Sequence, residues 1–281
     1  MLVQPQGPLW VRRGDLFTPF DEPINGDKVR QTLHLLMKNR TKILDQCDGI
    51  VATSCGARAN QGVIVSYVAK ALGLQPLVAV GGDSREKMIA RHGLLRKCDS
   101  FGCQIEVVSK AGYPNVVHGR MIEKFPNAFV VKFGMNMESH PDAVLDPTAK
   151  QVQALPNDID NLVIPVGSGV TVAGILRGLI EYEIHPRRVI LVQIAGKDRS
   201  QSINEMVGET YPYELIRFDR YPYARWIDRK IDLDPSQTPI GLDGMNEAKA
   251  YEWLMESIDI KNEKTVFWIV ANSAEIRGIR Q

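Results

Sequence analysis

Residues 163–176 read VIPVGSGVTVAGIL. An apolar run of strand length passes through Gly167-Ser168-Gly169-Val170-Thr171 and enters a helical pattern with no linker between them. A buried strand turning directly into a helix is the repeating unit of α/β architectures, so this stretch sets the frame for the rest. Two glycines let the backbone approach a ligand closely and leave N–H groups turned outward. The helix N-terminus adds positive potential, and the Ser168 and Thr171 hydroxyls add donors. Together these features describe a phosphate cup. The lysine and spacing of G-x-x-x-x-G-K-[ST] are missing, which argues against an NTP-hydrolysing loop. G-x-G-x-x-G is incomplete too, because Val172 stands at its third glycine. A tight strand-to-helix turn without a ligand is the plain alternative.

The same alternation recurs on both sides. Upstream, GIVATS (49–54) reads as a buried strand and NQGVIVSYVAKALG (60–73) as a helix ending at Gly73. PLVAV (76–80), CQIEVV (103–108) and AFVVKF (128–133) are further strands, with helices REKMIARHGLLRKC (85–98) and VVHGRMIEKF (116–125) in the gaps. A helix DPTAKQVQAL (146–155) leads to strand NLVIPV (161–166), and beyond the glycine loop come helix VAGILRGLIEYE (172–183) and strand RVILVQIAG (188–196). The segment 211–239 is rich in Tyr, Arg, Asp and Pro and has no clean period. It reads as one short strand and a long irregular loop of the kind that borders sites. Helix NEAKAYEWLMESI (246–258) and strand TVFWIV (265–270) close the pattern. The expectation is an α/β chain of two lobes, each a mainly parallel sheet flanked by helices. Residues 45–141 form the small lobe, and 1–44 with 142–281 form the large one.

Bulk properties narrow the function classes. Over 281 residues the chain is 44% hydrophobic and 24% charged, ordinary for a soluble globular protein. A formal net charge of +1 gives no bulk argument for nucleic acid or a membrane surface, though a local basic groove stays open. No apolar run approaches transmembrane length, and MLVQPQGPLWVRRGD lacks a signal-peptide core, so cytoplasmic residence is expected. Cys47, Cys55, Cys98 and Cys103 form neither a dense disulfide framework nor a C-x-x-C pair and read as buried thiols. His34, His92, His118, His140 and His185 are scattered, so no metal is assigned.

Two further stretches bear on chemistry. TSCGARANQG (53–62) again joins a strand to a helix, and its small residues with Asn60 could bind a carboxylate through backbone N–H groups. Taken alone, Asn60 is better read as a plain helix cap. INGDKVRQ (24–31) places Lys28 in the first turn of a helix, after the turn Asn25-Gly26 and with Asp27 as cap. A helix N-terminus disfavours a cation, so either Lys28 is a solvated surface residue or its amine is desolvated and nucleophilic toward aldehydes. A lysine together with a phosphate cup suggests pyridoxal phosphate.

The ordered set resembles the fold-type II pyridoxal-phosphate enzymes, the tryptophan synthase β-like group, and within it the 1-aminocyclopropane-1-carboxylate deaminase and D-cysteine desulfhydrase branch. WVRRGDLFTPF…INGDKVRQTLHLL resembles the K-R-D-D-L…G-G-N-K-x-R-K-L-E segment and puts Lys28 on the Schiff-base lysine. ATSCGARANQG resembles the G-x-x-x-S-N-Q loop, which implies Asn60 beside the cofactor ring and Ser54, Ala59, Asn60 and Gln61 around the substrate. PVGSGVTVAG resembles the phosphate loop, with Gly167, Ser168, Gly169, Val170 and Thr171 around the phosphate. GLDGMNEAKAYEWL resembles the L-D-P-x-Y-x-G-K segment and implies Glu247 near the pyridine nitrogen, with Asn246 toward the substrate. The large lobe is then the cofactor-binding one. The implied activity is that of a lyase or deaminase acting at Cα of an amino acid through an external aldimine, with Lys28 as acid and base. Relatives of this kind are commonly homodimers.

Departures fall at substrate-facing positions. Ala59 stands where that branch has a serine, Asn246 where it has a tyrosine, and VFWIVANSAEI where it has an H-T-G-G-like turn. The cofactor machinery is kept and the substrate machinery replaced. The resemblance extends to short, divergent enzymes in phage DNA-hypermodification gene sets. A decarboxylase or lyase acting on an amino-acid-modified nucleobase is therefore the second reading. Arg217, Arg220, Arg225 and Arg229 with Tyr211, Tyr213, Tyr221, Tyr223 and Trp226 could then pair phosphates and stack bases, or simply form a surface loop with packed aromatics. A catalytically inactive binding protein on the same scaffold is the third reading.

Overall fold

In a computed structural model, residues 3–135, 139–194, 196–222 and 225–271 are described. Tyr223 and the residues after Ala271, including the stretch where the H-T-G-G-like turn is absent, lie outside them. The chain opens with an antiparallel pair, β1 (Val3–Gln6) and β2 (Leu9–Arg13), followed by α1 (Asp27–Lys38) and α2 (Arg40–Gln46). A four-stranded sheet comes next. It contains β3 (Ile50–Ser54), β4 (Gln75–Gly81), β5 (Gln104–Ser109) and β6 (Phe129–Val131) in the order β5-β4-β3-β6, all parallel. Helices α3 (Asn60–Ala71), α4 (Arg85–Arg91), α5 (Gly93–Ser100) and α6 (Pro114–Lys124) make its crossovers. Parallel neighbours need such crossovers, and strands covered on both faces are buried along nearly their whole length, as in β3 and β4.

After α7 (Pro141–Ala149), the strands β7 (Asn161–Val166), β8 (Arg188–Gln193) and β9 (Glu214–Arg217) join the first pair. Helices α8 (Val170–Glu181) and α9 (Ser200–Val207) connect them. A short pair, β10 (Lys230–Ile231) and β11 (Ile240–Gly241), precedes α10 (Glu247–Ser257) and β12 (Thr265–Ile269). The second sheet has the order β1-β2-β12-β7-β8-β9 and is parallel except at β1–β2. This is the α/β class expected, with two mainly parallel sheets flanked by helices. Helix α1 packs against both α3 and α7, and Val29, Leu35 and Leu36 share one core with Val63 of α3 and Val144 of α7.

Several local expectations shift. The helix predicted over 85–98 breaks at His92, whose backbone is extended, giving α4 and α5. The one predicted over 146–155 is α-helical only to Ala149 and continues as a tighter 3-10 turn to Ala154. Gly26, not Asp27, caps α1 at φ 105°, where an L-residue is strained. A side chain there would also run into Ala271, so glycine lets the end of β12 come close, and the Asp27 N–H donates to the Val270 carbonyl at 2.9 Å. The Asp27 carboxylate turns inward instead. It pairs with Arg12 at 3.2 Å and accepts the Trp268 indole N–H at 2.9 Å, with all three side chains buried. Arg12 also stacks on the Trp268 ring, 4.4 Å from its centroid.

Candidate active site

Parallel strands end together, and β3 and β7 feed the helix N-termini of α3 and α8 there, while α1 and α10 enter from irregular segments. Four helix N-termini line one cavity of about 560 Å³: those of α1 at Lys28, α3 at Asn60 and Gln61, α8 at Gly169 and Thr171, and α10 at Asn246 and Glu247. The first-turn N–H groups of a helix have no partner within it and carry partial positive charge. None of Gly26, Ala59, Gly169 and Asn246 supplies a side-chain cap. The Asp27 N–H of α1 goes to the Val270 carbonyl and the Ala248 N–H of α10 to the Asp243 carbonyl, which leaves the glycine-capped start of α8 turned to the cavity. That arrangement receives anions.

Lys28 is the second residue of α1. Burial pushes its amine below the ordinary lysine value, while the Asp243 carboxylate, also in the cavity wall, acts against that. Asp243 accepts the N–H groups of Met245 and Asn246 at 3.0 Å each and so holds the entry to α10. Its sequence signal is slight: an acidic residue in a glycine-flanked turn four positions before Glu247. Glu247 is buried, and its Oε1 accepts the N–H groups of Val270 at 2.7 Å and Ala271 at 2.9 Å. Its Oε2 accepts the Asp243 N–H at 3.2 Å. Burial, and then the Asp243 charge, push this carboxyl well above the usual range, against the opposing pull of the N–H bonds from Ala271 and Asp243. Glu247 thus holds the same 270–271 segment onto which the start of α1 docks.

The glycine loop is built as anticipated in backbone and differently in side chains. Gly169 caps α8 at φ 94°, and a Cβ on Gly167 would meet nothing nearer than Asn246 Nδ2 at 3.9 Å, so the loop backbone borders open space. The Ser168 hydroxyl donates to the Gly134 carbonyl at 2.9 Å and is therefore not a donor to the cavity. Thr171 Oγ accepts from Gln31 Nε2 at 3.3 Å, which leaves its proton to donate. Val170 is buried as the first residue of α8 and does not line the cavity.

The substrate-side expectations divide. Ala59, Asn60 and Asn246 line the cavity. Ala59 occupies the cap position of α3, so Asn60 is the first helical residue rather than the plain cap. Gln61 reaches the wall, but its amide is occupied elsewhere. Oε1 accepts the Gly134 N–H at 2.7 Å, and Nε2 donates to Lys132 O at 2.8 Å and Thr53 Oγ at 3.0 Å. Ser54 is buried, hydrogen-bonded to His118 at 3.1 Å, and does not line the cavity. Arg58, Phe133 and Trp226 also line the wall; of these only Trp226 carries a sequence signal.

Other sequence candidates lie elsewhere. Arg220 pairs with Glu252 and Glu256 and Arg229 with Glu252, while Tyr221 donates to Glu252. Tyr213 bonds Asn204 and Tyr211 bonds the Ile184 carbonyl. The segment therefore packs Arg220 and Arg229 on the acidic face of α10, while Arg217 pairs with Asp219 and Arg225 lies over the Tyr221 ring. All four cysteines are free and buried, with Cys55 pushed up to about 12 by burial. Among the described residues, no group of three or more His, Cys, Asp or Glu is placed to hold a metal ion, and no helix is long and apolar enough to cross a membrane.

Comparison with known proteins adds a family and a fold. The family model described as pyridoxal-phosphate dependent enzyme matches residues 20–214. The O-seryl-dTMP PLP-dependent decarboxylase of Salmonella phage ViI is 25% identical over 195 residues, covering 64% of this chain and 44% of that protein. The match thus spans less than half of that relative's length. Among solved structures, an ACC deaminase homologue superposes with a TM-score of 0.70 at 18% identity, over 96% of this chain and 85% of its own. Cysteine synthase from Entamoeba histolytica gives 0.63 at 18%, over 99% and 85%. At these identities the two structures speak to the fold.

Proposed function

The chain belongs to the family of pyridoxal-phosphate-dependent enzymes, and from that premise we propose a decarboxylase or related lyase that acts at Cα of an amino acid joined to a nucleobase. The observation that carries the proposal is that Lys28, the glycine-capped N-terminus of α8 and Glu247 share one cavity. Its walls fit the cofactor. The open space against Gly167 suits a phosphate approached by backbone, and Thr171 has a proton to give. A buried Asn246 Oδ1 is left without a partner. The residues proposed to hold the cofactor are Lys28 at its aldehyde carbon, Gly167, Gly169 and Thr171 at its phosphate, with Val170 and Ser168 shaping that loop. Asn60 and Glu247 are proposed at its ring.

Bound pyridoxal phosphate supplies an electron sink for whichever Cα bond is broken. The chain's residues do the rest. The N-terminus of α3, with Ala59 and Asn60, orients the substrate carboxylate. Lys28, whose amine burial pushes below the ordinary lysine value, carries the proton to or from Cα. In a decarboxylation the Cα–carboxylate bond breaks, CO2 leaves, and Lys28 delivers one proton to Cα. Ala59 contributes no hydroxyl to that transfer.

Two features favour a substrate larger than a free amino acid. Two aromatic residues, Phe133 and Trp226, line the cavity that holds the lysine. The match to the phage decarboxylase supports the same choice. The test offers the purified holoenzyme O-seryl-dTMP and free serine separately and follows CO2 release and product mass. Turnover of the first alone agrees with the proposal; comparable turnover of free serine or D-cysteine overturns it. A homodimer residing in the cytoplasm completes the proposal, and light scattering reads the assembly state.

A further inference from the structure

We infer that the outer part of this cavity is a subsite for a pyrimidine nucleotide, its base against Phe133 and Trp226 and its phosphate on Arg58. The inference rests on the proposed function and assigns residues to the part of the substrate that the lysine does not touch.

Phe133 is 51% exposed although it lines the cavity. A large apolar side chain held in water is unfavourable unless something covers it. Loose packing does not explain its exposure, because the backbone beside it is fixed. The Gly134 N–H is bonded to Gln61 and the Gly134 carbonyl to Ser168, and Gly134 and Met135 both have positive φ, 76° and 65°. The chain is therefore pinned in a turn that displays the ring. Trp226 is fixed as well. Its ring lies on Gly244, where a Cβ would collide with it, and its indole N–H donates to Asp228 at 2.9 Å. Two immobilised aromatic walls bind flat rings by stacking at little entropic cost. Arg58 lies in the loop between β3 and α3, is exposed and lines the same cavity. A planar guanidinium suits a phosphate. The combination matches a neutral flat ring with an anion attached.

Such a nucleotide is either free or part of a DNA strand. Arg217, Arg220 and Arg229 are ion-paired with Asp219, Glu252 and Glu256, so three of the four arginines that could track further phosphates are already engaged with acidic partners. We expect a single nucleotide to supply the binding.

The experiment titrates the holoenzyme calorimetrically with thymidine 5′-monophosphate, thymidine, inorganic phosphate and a short single-stranded oligonucleotide. It then repeats the titrations with Phe133→Ala, Trp226→Leu and Arg58→Gln. The expected result is binding of the monophosphate, weakened at least tenfold by each substitution. Arg58→Gln should leave thymidine unaffected, and visible absorbance should show the cofactor still loaded in every variant. An oligonucleotide that binds tenfold tighter than the monophosphate assigns the same subsite to a nucleotide within a strand. Monophosphate binding that is equal in all variants overturns the subsite and leaves the proposed function standing. If the monophosphate fails to bind while free amino acids are turned over, both are overturned.

Discussion

Ser168 donates its hydroxyl proton to the Gly134 carbonyl at 2.9 Å, while Gly134 N–H is held at 2.7 Å by Gln61 from α3. The glycine loop of one sheet is thus tied to the first turn of a helix of the other through a single residue, Gly134. The two hydroxyls of the loop then have different tasks. Thr171→Val removes a donor to a charged phosphate, worth about 1.5–3 kcal/mol, and cofactor affinity should fall about tenfold or more. Ser168→Ala removes a neutral hydrogen bond worth about 0.5–1.5 kcal/mol and should have the smaller effect. Equilibrium titration of the apoenzyme with pyridoxal phosphate measures both; the reverse order contradicts the assignment.

The sign of the pH response follows from Lys28. Burial lowers its pKa and Asp243 raises it. The neutral amine increases as pH rises through that lowered value, so the rate of cofactor attachment should climb at pH below the ordinary lysine range. Asp243→Asn removes the opposing charge and keeps an oxygen for the Met245 and Asn246 N–H groups. The midpoint should move to lower pH. A midpoint that moves up, or stays, rules out Asp243 as the charge acting on Lys28.

The Arg12–Asp27 pair is buried under the start of α1. Breaking a buried pair from one side costs about 3–5 kcal/mol, because the remaining charge is uncompensated. Asp27→Ala should lower stability in urea by that order and weaken cofactor loading, since Asp27 precedes Lys28. A loss under 1 kcal/mol would show that the pair is not what holds the helix start.

Helices α7 and α8 cross closely because Gly174 and Gly178 face Thr148 and Ala149. A Cβ at Gly178 would lie 2.5 Å from the Ala149 carbonyl oxygen and 2.7 Å from Val152 Cγ2. Gly178→Val should destabilise by at least about 1–3 kcal/mol, the cost of overpacking, measured by denaturant unfolding with m unchanged.

What the sequence discloses is mostly local. β7 matches its apolar run residue for residue, and the glycine loop and Lys28 are visible because strand, turn and helix signals adjoin. β1 and β2 are less legible, since an edge hairpin of the composition VQPQ and LWVRR lacks a sustained apolar run. The break at His92 is hidden because helical periodicity continues on both sides. The inward turn of Asp27 depends on Arg12 and on Trp268, 241 positions away, and no local pattern encodes that. The Gln61–Gly134–Ser168 tie is equally long-range, which is why Gln61 and Ser168 read as ligand contacts from sequence and are structural ties in the fold.

The central claim is that Lys28 carries the cofactor. Purified protein loaded with pyridoxal phosphate, reduced with borohydride, digested and weighed by mass spectrometry should show a phosphopyridoxyl group on the peptide containing residue 28, and none in Lys28→Ala. The same mass on another lysine, or no modified peptide from a protein that has taken up the cofactor, would contradict the account.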